Sequence, residues 1–417
     1  MIFRVHGVRA GPAVAGIIDD LNPKGVGLME EREVQLLKTL IGNDVLAEQA
    51  VATKLADYAE SALNVGLSSK GTGYDNSFTV SFRVSFKSLE GECRVALQYP
   101  LSFVVDSDLN TEVLRILSVA FFPLLTFRPL TGPQLVDTQS NDLASARALA
   151  FPFRLGTYHR RHYQRLSDIK AVKRADGRVV FPMMNGYDYV PASNSGHAII
   201  TGVSGSGKSV LGIVMLQYLR SMGATATIID PKLDVSWARY CAESGVEYIS
   251  PGSNENGTSF LDRVMKVLKG AVEEMHARQR KLTASPTPIT FKPRVILLDE
   301  AMALVQQAPA NLVKSYLQML NSLTLMGRSS SVSLILLSQT ADSRTVISSS
   351  ARDQMGLKVV LSNASIANND TRYLFKDFDP SSIVIPRDDF HHGVGLIQQQ
   401  SDGLIVPFLT PYVAELA

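Results

Sequence analysis

Eight residues near the middle of the chain decide the fold: Gly202-Val203-Ser204-Gly205-Ser206-Gly207-Lys208-Ser209. They match the phosphate-binding loop (P-loop) pattern Gly-x-x-x-x-Gly-Lys-Ser/Thr at every fixed position. An apolar run, Ala198 to Ile200, enters the loop, and the residues from Val210 to Leu219 leave it with helical character. Because a P-loop joins a strand to a helix, this context predicts that the loop binds ATP or GTP.

The residue types in the loop explain how it would bind phosphate. Glycines allow the backbone N–H groups to curl inward, and the following helix adds the positive end of its dipole. Lys208 is expected to reach the β- and γ-phosphates, and Ser209 to offer its hydroxyl to Mg²⁺. We therefore predict ATP and Mg²⁺ as cofactors. The predicted nucleotide-binding residues are Gly202, Val203, Ser204, Gly205, Ser206, Gly207, Lys208, Ser209 and Val210.

A second motif, Arg294-Val295-Ile296-Leu297-Leu298-Asp299-Glu300, predicts a buried strand that ends in two carboxylates. We expect Asp299 to hold Mg²⁺ and Glu300 to polarise the attacking water. This pair favours ATP hydrolysis over phosphoryl transfer to a small acceptor. A third strand ends at Gln339, whose amide is expected to sense the γ-phosphate or orient water. A surface glutamine is the alternative interpretation, with equal weight.

Short apolar runs alternate with helical segments from residue 197 onward. Both faces of each run are apolar, as in the strands of a parallel sheet that is covered by helices. The predicted fold class is α/β, a P-loop NTPase with a RecA-like, mostly parallel sheet flanked by helices. The runs are His197–Thr201, Thr225–Ile229, Arg294–Leu298, Ser331–Ser338 and Leu357–Leu361.

The first 150 residues have a different pattern of apolar spacing, which predicts a smaller α+β accessory domain. Helical spacing is present over Glu31–Ile41 and Val45–Leu63. Strict apolar–polar alternation over Phe78–Phe86, followed by a turn and by Cys93–Leu97, predicts two paired strands. We assign residues 1–150 to this domain, 151–180 to a basic linker and 181–417 to the ATPase motor domain.

The densest basic stretch lies between Arg154 and Arg178. It has two interpretations of equal weight: a solvated linker or helix face, and a surface that contacts phosphates with interleaved aromatic residues for stacking. The basic residues after Arg154 are Arg160, Arg161, Arg165, Lys170, Lys173, Arg174 and Arg178.

Composition limits the compartment and the partners. The formal net charge is +2, so any nucleic-acid surface has to be local. Cys93 and Cys241 match no metal-ligand or redox spacing and are interpreted as reduced thiols. The first residues lack the apolar core of a secretory signal, and the most apolar stretch, Leu117–Phe127, is too short to span a bilayer. We expect a cytoplasmic protein without a membrane span of its own.

Several short motifs together resemble the motor domain of the FtsK/SpoIIIE family of DNA translocases. Each motif is weak alone, but their order and spacing agree with that family from about residue 180 to residue 417. Besides the loop, the matching segments are Asp230-Pro231-Lys232, Glu274-Met275 with Arg278, Gly327-Arg328, Leu334–Thr340 and Asp370-Thr371-Arg372. Within Leu334–Thr340 the sequence departs from the family at Ser338, where alanine is usual.

The resemblance implies a hexameric ring of identical subunits that threads single- or double-stranded DNA through a central pore, driven by ATP hydrolysis between subunits. It also implies that Arg328 or Arg372 reaches a neighbour's γ-phosphate as an arginine finger; a structural salt bridge is the alternative for either. The chain shows neither a membrane anchor nor a winged-helix domain that reads sequence. We therefore favour the plasmid-transfer branch, with TcpA-like coupling proteins of conjugation and a membrane or relaxase partner.

Three other classes share the loop: type VII-like protein-secretion ATPases, viral genome-packaging ATPases and small-molecule kinases. Glu300 beside Asp299 and the two arginine candidates disfavour the kinase. Loops that face a pore would carry basic residues, although each of these is more often an ordinary surface charge. The candidates are Lys266, Lys269, Arg344 and Arg352, and the predicted catalytic residues are Lys208, Glu300, Gln339, Arg328 and Arg372.

Overall fold

The computed structural model describes most of the chain. The described residues are 48–68, 81–86, 92–98, 107–122, 124–129, 133–137, 139, 141, 146–156, 160–184, 187–305, 308–341, 346–362, 369–375, 392–401 and 403–416. They belong to two compact units, Met1–His159 and Arg160–Ala417. Among the described residues, no helix is both long enough and apolar enough to cross a membrane.

The first unit combines an antiparallel sheet with helices. Its elements are α1 Glu48–Ser68, β1 Ser81–Phe86, β2 Glu92–Gln98, α2 Ser107–Phe121, β3 Thr126–Pro129, β4 Gln134–Asp137 and β5 Arg147–Gly156. β5 pairs with β2, β3 and β4, and β1 pairs with β2. The helices and the sheet share one apolar core, in which Leu55, Leu117 and Phe151 are buried.

This architecture confirms the predicted α+β class of the first unit. The helix predicted at Val45–Leu63 is α1, and the two predicted strands are β1 and β2. The helical spacing at Glu31–Ile41 lies outside the described residues. The apolar stretch Leu117–Phe127 forms the end of α2 and the start of β3, with Leu117, Phe121 and Phe127 buried in the core.

The second unit contains a large, mostly parallel sheet. Its strands are β10 Ala198–Gly202, β11 Thr225–Ile229, β12 Glu247–Ile249, β13 Arg294–Asp299, β14 Val332–Ser338, β15 Leu357–Leu361, β16 Val394–Gln399 and β17 Ile405–Leu409. Their order is β12-β11-β13-β14-β10-β15-β16-β17. In this spatial order, the strands from β12 through β15 are parallel. β16 pairs antiparallel with β15, and β17 pairs antiparallel with β16. All five predicted strands are present; the patterns did not predict β12, β16 or β17.

Helices connect the parallel strands. Their bounds are α3 Lys208–Ser221, α4 Val235–Ser244, α5 Gly257–Ala284, α6 Ala301–Val305, α7 Ala310–Met326, α8 Ser349–Asp353 and α9 Asn369–Leu374. Every residue of β10 and β14 is buried, as expected for strands in the centre of a covered sheet. β14, which follows β13 along the chain, lies between β13 and the P-loop strand β10 in the sheet. This strand order confirms the RecA-like α/β fold class.

The residues predicted as a linker do not form a separate segment. Residues 151–156 belong to β5 of the first unit, and residues from Arg160 onward belong to the second. There, β6 His162–Tyr163 pairs in parallel with β18 Tyr412–Val413. β8 Val179–Met184 pairs with β7 Val172–Lys173 and with β9 Tyr187–Tyr189. The physical reason is that apolar side chains within the basic stretch, such as Leu166 and Ile169, are buried.

A fully buried histidine stands at the entry to the P-loop strand. His197 Nδ1 accepts a hydrogen bond from the backbone N–H of Leu334 at 3.0 Å. Burial lowers the pKa of His197 to about 4. The ring is therefore neutral at pH 7, and its Nδ1 replaces a backbone acceptor just before the β10–β14 ladder begins.

We expect His197 to make the second unit less stable in acid. Its folded pKa lies below the ordinary value of 6.5, so the unfolded chain takes up a proton that the folded chain excludes. The stabilisation is complete above about pH 6.5 and is lost as the pH falls towards 4, by about 3 kcal/mol in total. His197→Asn keeps an acceptor but does not titrate. Urea unfolding, followed by the fluorescence of the single tryptophan, measures the free energy of unfolding of both proteins. The excess of the wild-type value over that of His197→Asn should shrink as the pH falls. An excess that does not depend on pH would contradict this.

Candidate active site

Parallel strands bring the predicted residues together at one edge of the sheet. β10 ends in the P-loop, β13 ends at Asp299, and β14 ends at Ser338, directly before Gln339. In register, Thr201 pairs with Ser338 and Asp299 pairs with Leu337. We call this edge, where the parallel strands end, the carboxyl edge.

The P-loop has the backbone shape that phosphate binding requires. Gly207 has φ +95° and stands before the first residue of α3, where no side chain caps the helix. The first N–H groups of α3 are therefore free of a side-chain cap and point out of the helix. Ser206 Oγ is buried and has no hydrogen-bond partner among the described residues. Both features suit a ligand that accepts several hydrogen bonds, as a phosphate does.

The ammonium group of Lys208 lies inside the loop. Its Nζ donates to the carbonyl oxygens of Gly202 at 2.7 Å and Val203 at 3.0 Å. Burial lowers the pKa of Lys208, and the charges of Glu300 and Asp299 oppose that shift. Lys208 therefore stands within electrostatic reach of both carboxylates.

Asp299 is held by the only tryptophan in the sequence. The Nε1–H of Trp237, on α4, donates to Asp299 Oδ2 at 2.7 Å, and the indole is fully buried. Burial raises the pKa of Asp299 to about 6, while this hydrogen bond lowers it. Gly212 on α3 leaves room for the ring, since a Cβ there would come within 2.9 Å of the indole. The sequence patterns did not indicate this role of Trp237.

Glu300 has a strained backbone and a cationic partner. Its φ is +48°, a left-handed conformation that is uncommon for residues with a side chain and that redirects the chain between β13 and α6. Its Oε2 lies 3.1 Å from Lys232 Nζ, and its Oε1 accepts from the N–H of Gln339 at 3.4 Å. Gln339 thus contacts Glu300 through its backbone, and its side chain is exposed.

A carboxylate-centred turn presents Lys232. Asp230 is fully buried, and its Oδ1 accepts from the N–H of Lys232 at 2.8 Å. Its Oδ2 accepts from the N–H of Asp234 at 2.7 Å and from the hydroxyl of Tyr248 at 2.8 Å. These contacts explain the Asp-Pro-Lys segment, because the aspartate fixes the turn that directs the lysine to Glu300.

The residues at this edge fit a magnesium nucleotide. Mg²⁺ in such sites is held by one or two carboxylates or hydroxyls together with phosphate oxygens, so it needs no cluster of protein ligands. The described residues contain no group of three or more His, Cys, Asp or Glu side chains that could hold a metal alone. Asp299 and Ser209 supply oxygen donors beside a loop built for phosphate.

The two arginine-finger candidates lie next to opposite ends of the parallel strands. Arg328 is exposed and begins the 3₁₀ turn Arg328–Ser330, directly before the amino end of β14. It is therefore at the opposite edge of the sheet from the P-loop of its own subunit. Arg372 is exposed on α9, which follows the carboxyl end of β15.

One of the four predicted basic contacts, Arg352, has structural partners. Arg352 is buried: its Nη1 donates to the carbonyl of Ala341 at 2.7 Å, and its guanidinium lies 5.8 Å from the Tyr373 ring centroid. This burial contradicts a pore contact, because the side chain serves the fold. Lys266 and Lys269 are exposed on α5. Arg344 lies outside the described residues.

Three arginines in the basic stretch that begins at Arg154 have partners within the fold. Arg174 forms a two-pronged contact with Asp188 at 2.7 and 2.8 Å, and Arg178 pairs with Asp176. Arg160 is buried against backbone carbonyls. A surface dedicated to phosphates would leave these charges free, so the arrangement favours the structural interpretation for these three arginines.

The RecA-like sheet, with the P-loop and the Asp299–Glu300 pair at its carboxyl edge, defines a P-loop ATPase. No family model matches the chain, and no curated protein matches it in sequence. The sequence resemblance to FtsK/SpoIIIE motor domains is thus one of motifs and fold class.

Solved structures to which the chain is similar include the following three. The pCW3 conjugation coupling protein TcpA, in a monomer form with ATPγS, is 14% identical over 85% of this chain and 95% of its own, with a TM-score of 0.47. The cytoplasmic domain of the type VII secretion ATPase EccC from Thermomonospora curvata is 17% identical over 58% of this chain, which spans 28% of that domain, with a TM-score of 0.37. The genome packaging NTPase B204 of Sulfolobus turreted icosahedral virus 2 is 14% identical over 53% of this chain and 98% of its own, with a TM-score of 0.34. Because these TM-scores are below 0.5, we take nothing about this chain's substrate or partners from them.

The Trp237–Asp299 hydrogen bond should contribute measurably to stability. Trp237→Phe keeps most of the ring but leaves the buried carboxylate without its indole donor. A double-mutant cycle with Asp299→Ala should give a coupling of about 1.5–3 kcal/mol, since the acceptor is charged. Urea unfolding at pH 7.5, followed by circular dichroism, measures it. A coupling near zero would mean that the two side chains are only neighbours.

Proposed function

We propose that the chain is an ATP-driven DNA translocase that works as a hexameric ring in the transfer of a plasmid or another mobile element. One observation carries the motor part: Lys208, Asp299 and Glu300 converge at the carboxyl edge of a RecA-like sheet. The motifs that resemble FtsK/SpoIIIE translocases support DNA as the track. The exposed charges of Lys266 and Lys269 on α5 are the remaining described pore candidates.

In the proposed mechanism, the P-loop N–H groups and Lys208 hold the β- and γ-phosphates of ATP. Ser209 and Asp299 would hold Mg²⁺, which would neutralise charge on the phosphates. Glu300 orients the attacking water and accepts its proton. While Lys232 is paired with Glu300, both carboxylate oxygens are engaged: Oε2 lies 3.1 Å from Lys232 Nζ, and Oε1 accepts from the N–H of Gln339. The contact between Lys232 and Glu300 must therefore loosen before Glu300 can act on water.

We propose Arg328 as the finger that acts on the neighbouring subunit. The seven residues of β14 separate it from the carboxyl edge, a distance of roughly 20 Å along the strand. An arginine side chain cannot span that distance to its own γ-phosphate. Arg372 follows a strand that ends at the carboxyl edge, so the same argument does not separate it from its own site.

Mixing two inactive variants tests this assignment. Arg328→Ala and Lys208→Ala should each lose ATPase activity alone. In a randomly mixed ring at equal ratio, roughly a quarter of the interfaces join an intact P-loop to an intact Arg328, so about a quarter of the activity should return. Arg372→Ala mixed with Lys208→Ala is the matched comparison. If ATPase activity returns when Arg372→Ala is mixed with Lys208→Ala, but not when Arg328→Ala is mixed with it, the finger role passes to Arg372.

The track is tested by steady-state ATPase activity with and without DNA. We expect one DNA form, single- or double-stranded, to stimulate turnover strongly at low salt and less at moderate salt, because phosphate contacts release counterions. Activity that is indifferent to both forms would overturn the DNA assignment and favour a protein-translocating ATPase.

Two variants assign the stimulated activity to this site. Lys208→Ala should remove nucleotide binding or at least turnover, because the loop loses its point charge. Glu300→Gln should keep nucleotide binding and trap ATP, because the amide cannot accept the proton. Hydrolysis by Glu300→Gln at the wild-type rate would show that another group is the base.

A further inference from the structure

Arg160 stands at the end of a chain of hydrogen bonds that leads to the P-loop. The carbonyl of Ser206 accepts from the N–H of Gly393 at 2.9 Å, and the carbonyl of Gly393 accepts from the N–H of Thr410 at 2.7 Å. The carbonyl of Thr410 accepts from Arg160 Nη1 at 2.5 Å, and Arg160 Nη2 donates to the carbonyl of His392 at 2.9 Å. We call this chain the Arg160 relay.

The relay fixes the direction of a phosphate-binding group. In a planar trans peptide, the C=O and N–H groups point in opposite directions. The peptide that joins Ser206 to Gly207 has its C=O directed at Gly393, so its N–H, carried by Gly207, is directed away from Gly393. If the Gly393 contact were lost, this peptide could rotate and the N–H would no longer be held in one direction.

The parts of the relay are packed too closely to be incidental. A Cβ on Gly207 would come within 3.2 Å of the Gly393 Cα. Gly393 has φ +74°, and a Cβ there would lie 2.8 Å from the Thr410 Cβ and 2.9 Å from Arg160 Nη1. Arg160 is itself only 7% exposed. The buried guanidinium of Arg160 donates to the backbone carbonyls of Thr410 and His392 and so holds these two segments of the chain together.

We infer that Arg160 is a positioning residue for nucleotide binding: it acts through Thr410 and Gly393 to hold the Ser206–Gly207 peptide. This inference rests on nucleotide binding by the P-loop and is independent of the DNA track. It also gives Arg160 a role different from the phosphate contact that its basic neighbourhood allowed.

The test measures the Kd of a fluorescent ATP analogue on the full chain without DNA, together with the melting temperature. Arg160→Gln should raise the Kd about tenfold, because the carbonyls of Thr410 and His392 lose their charged donor. KM for ATP should rise in parallel, with a smaller change in kcat. The Kd of Arg160→Lys should lie between the values of the wild type and Arg160→Gln, since an ammonium keeps the charge but loses the fork geometry.

Arg178→Gln is the matched control, because Arg178 is exposed and contacts Asp176 in its own turn. It should leave the Kd unchanged. Gly393→Ala tests the relay without removing Arg160: one methyl group should raise the Kd by pressing on Thr410 and the guanidinium. If Arg160→Gln does not fold, Arg160→Lys and Gly393→Ala carry the same test.

A lower melting temperature with an unchanged Kd would overturn the inference and leave Arg160 a purely structural residue. Weaker DNA binding with unchanged nucleotide binding would overturn it in favour of a phosphate contact. The two proposals fail separately: a wild-type chain that DNA does not stimulate, but whose Kd depends on Arg160, refutes only the translocase. Stimulation by DNA with an Arg160-independent Kd refutes only the relay.

Discussion

A P-loop turns peptide N–H groups towards a common centre, and the opposite ends of those peptides must then find partners outside the loop. In this chain the requirement is visible at Ser206, whose carbonyl is bonded to Gly393, and at Gly202 and Val203, whose carbonyls accept from Lys208. Because buried carbonyls without donors are costly, the shape of the loop depends on segments that are distant in sequence. Gly393 and Thr410, which flank the strand pair β16 and β17, thus help to hold the shape of the P-loop.

The carboxylates at the same edge are subject to a second constraint, which is desolvation. Burial alone would favour the neutral form of Asp299, and the indole of Trp237 opposes it by donating to the carboxylate. Glu300 is paired instead with a cation, Lys232, whose side chain is half exposed. In the proposed mechanism, the metal ligand is the carboxylate that a buried indole holds, and the base is the carboxylate that a half-exposed lysine pairs.

The placement of the arginines links this chemistry to assembly. Since Arg328 lies at the amino end of β14 and the P-loop lies at the carboxyl end of β10, one subunit cannot bring them together. Two copies arranged head to tail can, and repeating such a contact gives a ring where the rotation closes. In the proposed function, the parallel strands thus place the finger residue of one subunit far from its own P-loop, and the finger of a neighbour completes each site.

The sequence by itself determined the P-loop, the Asp299–Glu300 strand end, the five central strands and the α+β class of the first unit. These features are local: each depends on residue types at fixed spacing or on apolar runs that are buried on both faces. Only the tertiary structure decided that Arg160 and Arg352 are buried, that Trp237 holds Asp299, that Lys232 pairs with Glu300 and that β16 and β17 close the sheet. Charge and aromaticity can be read from composition, but whether a guanidinium meets solvent or a distant carbonyl depends on which segments the fold brings together. The contact between Arg160 and Thr410 spans 250 positions, and no periodicity in the sequence records it.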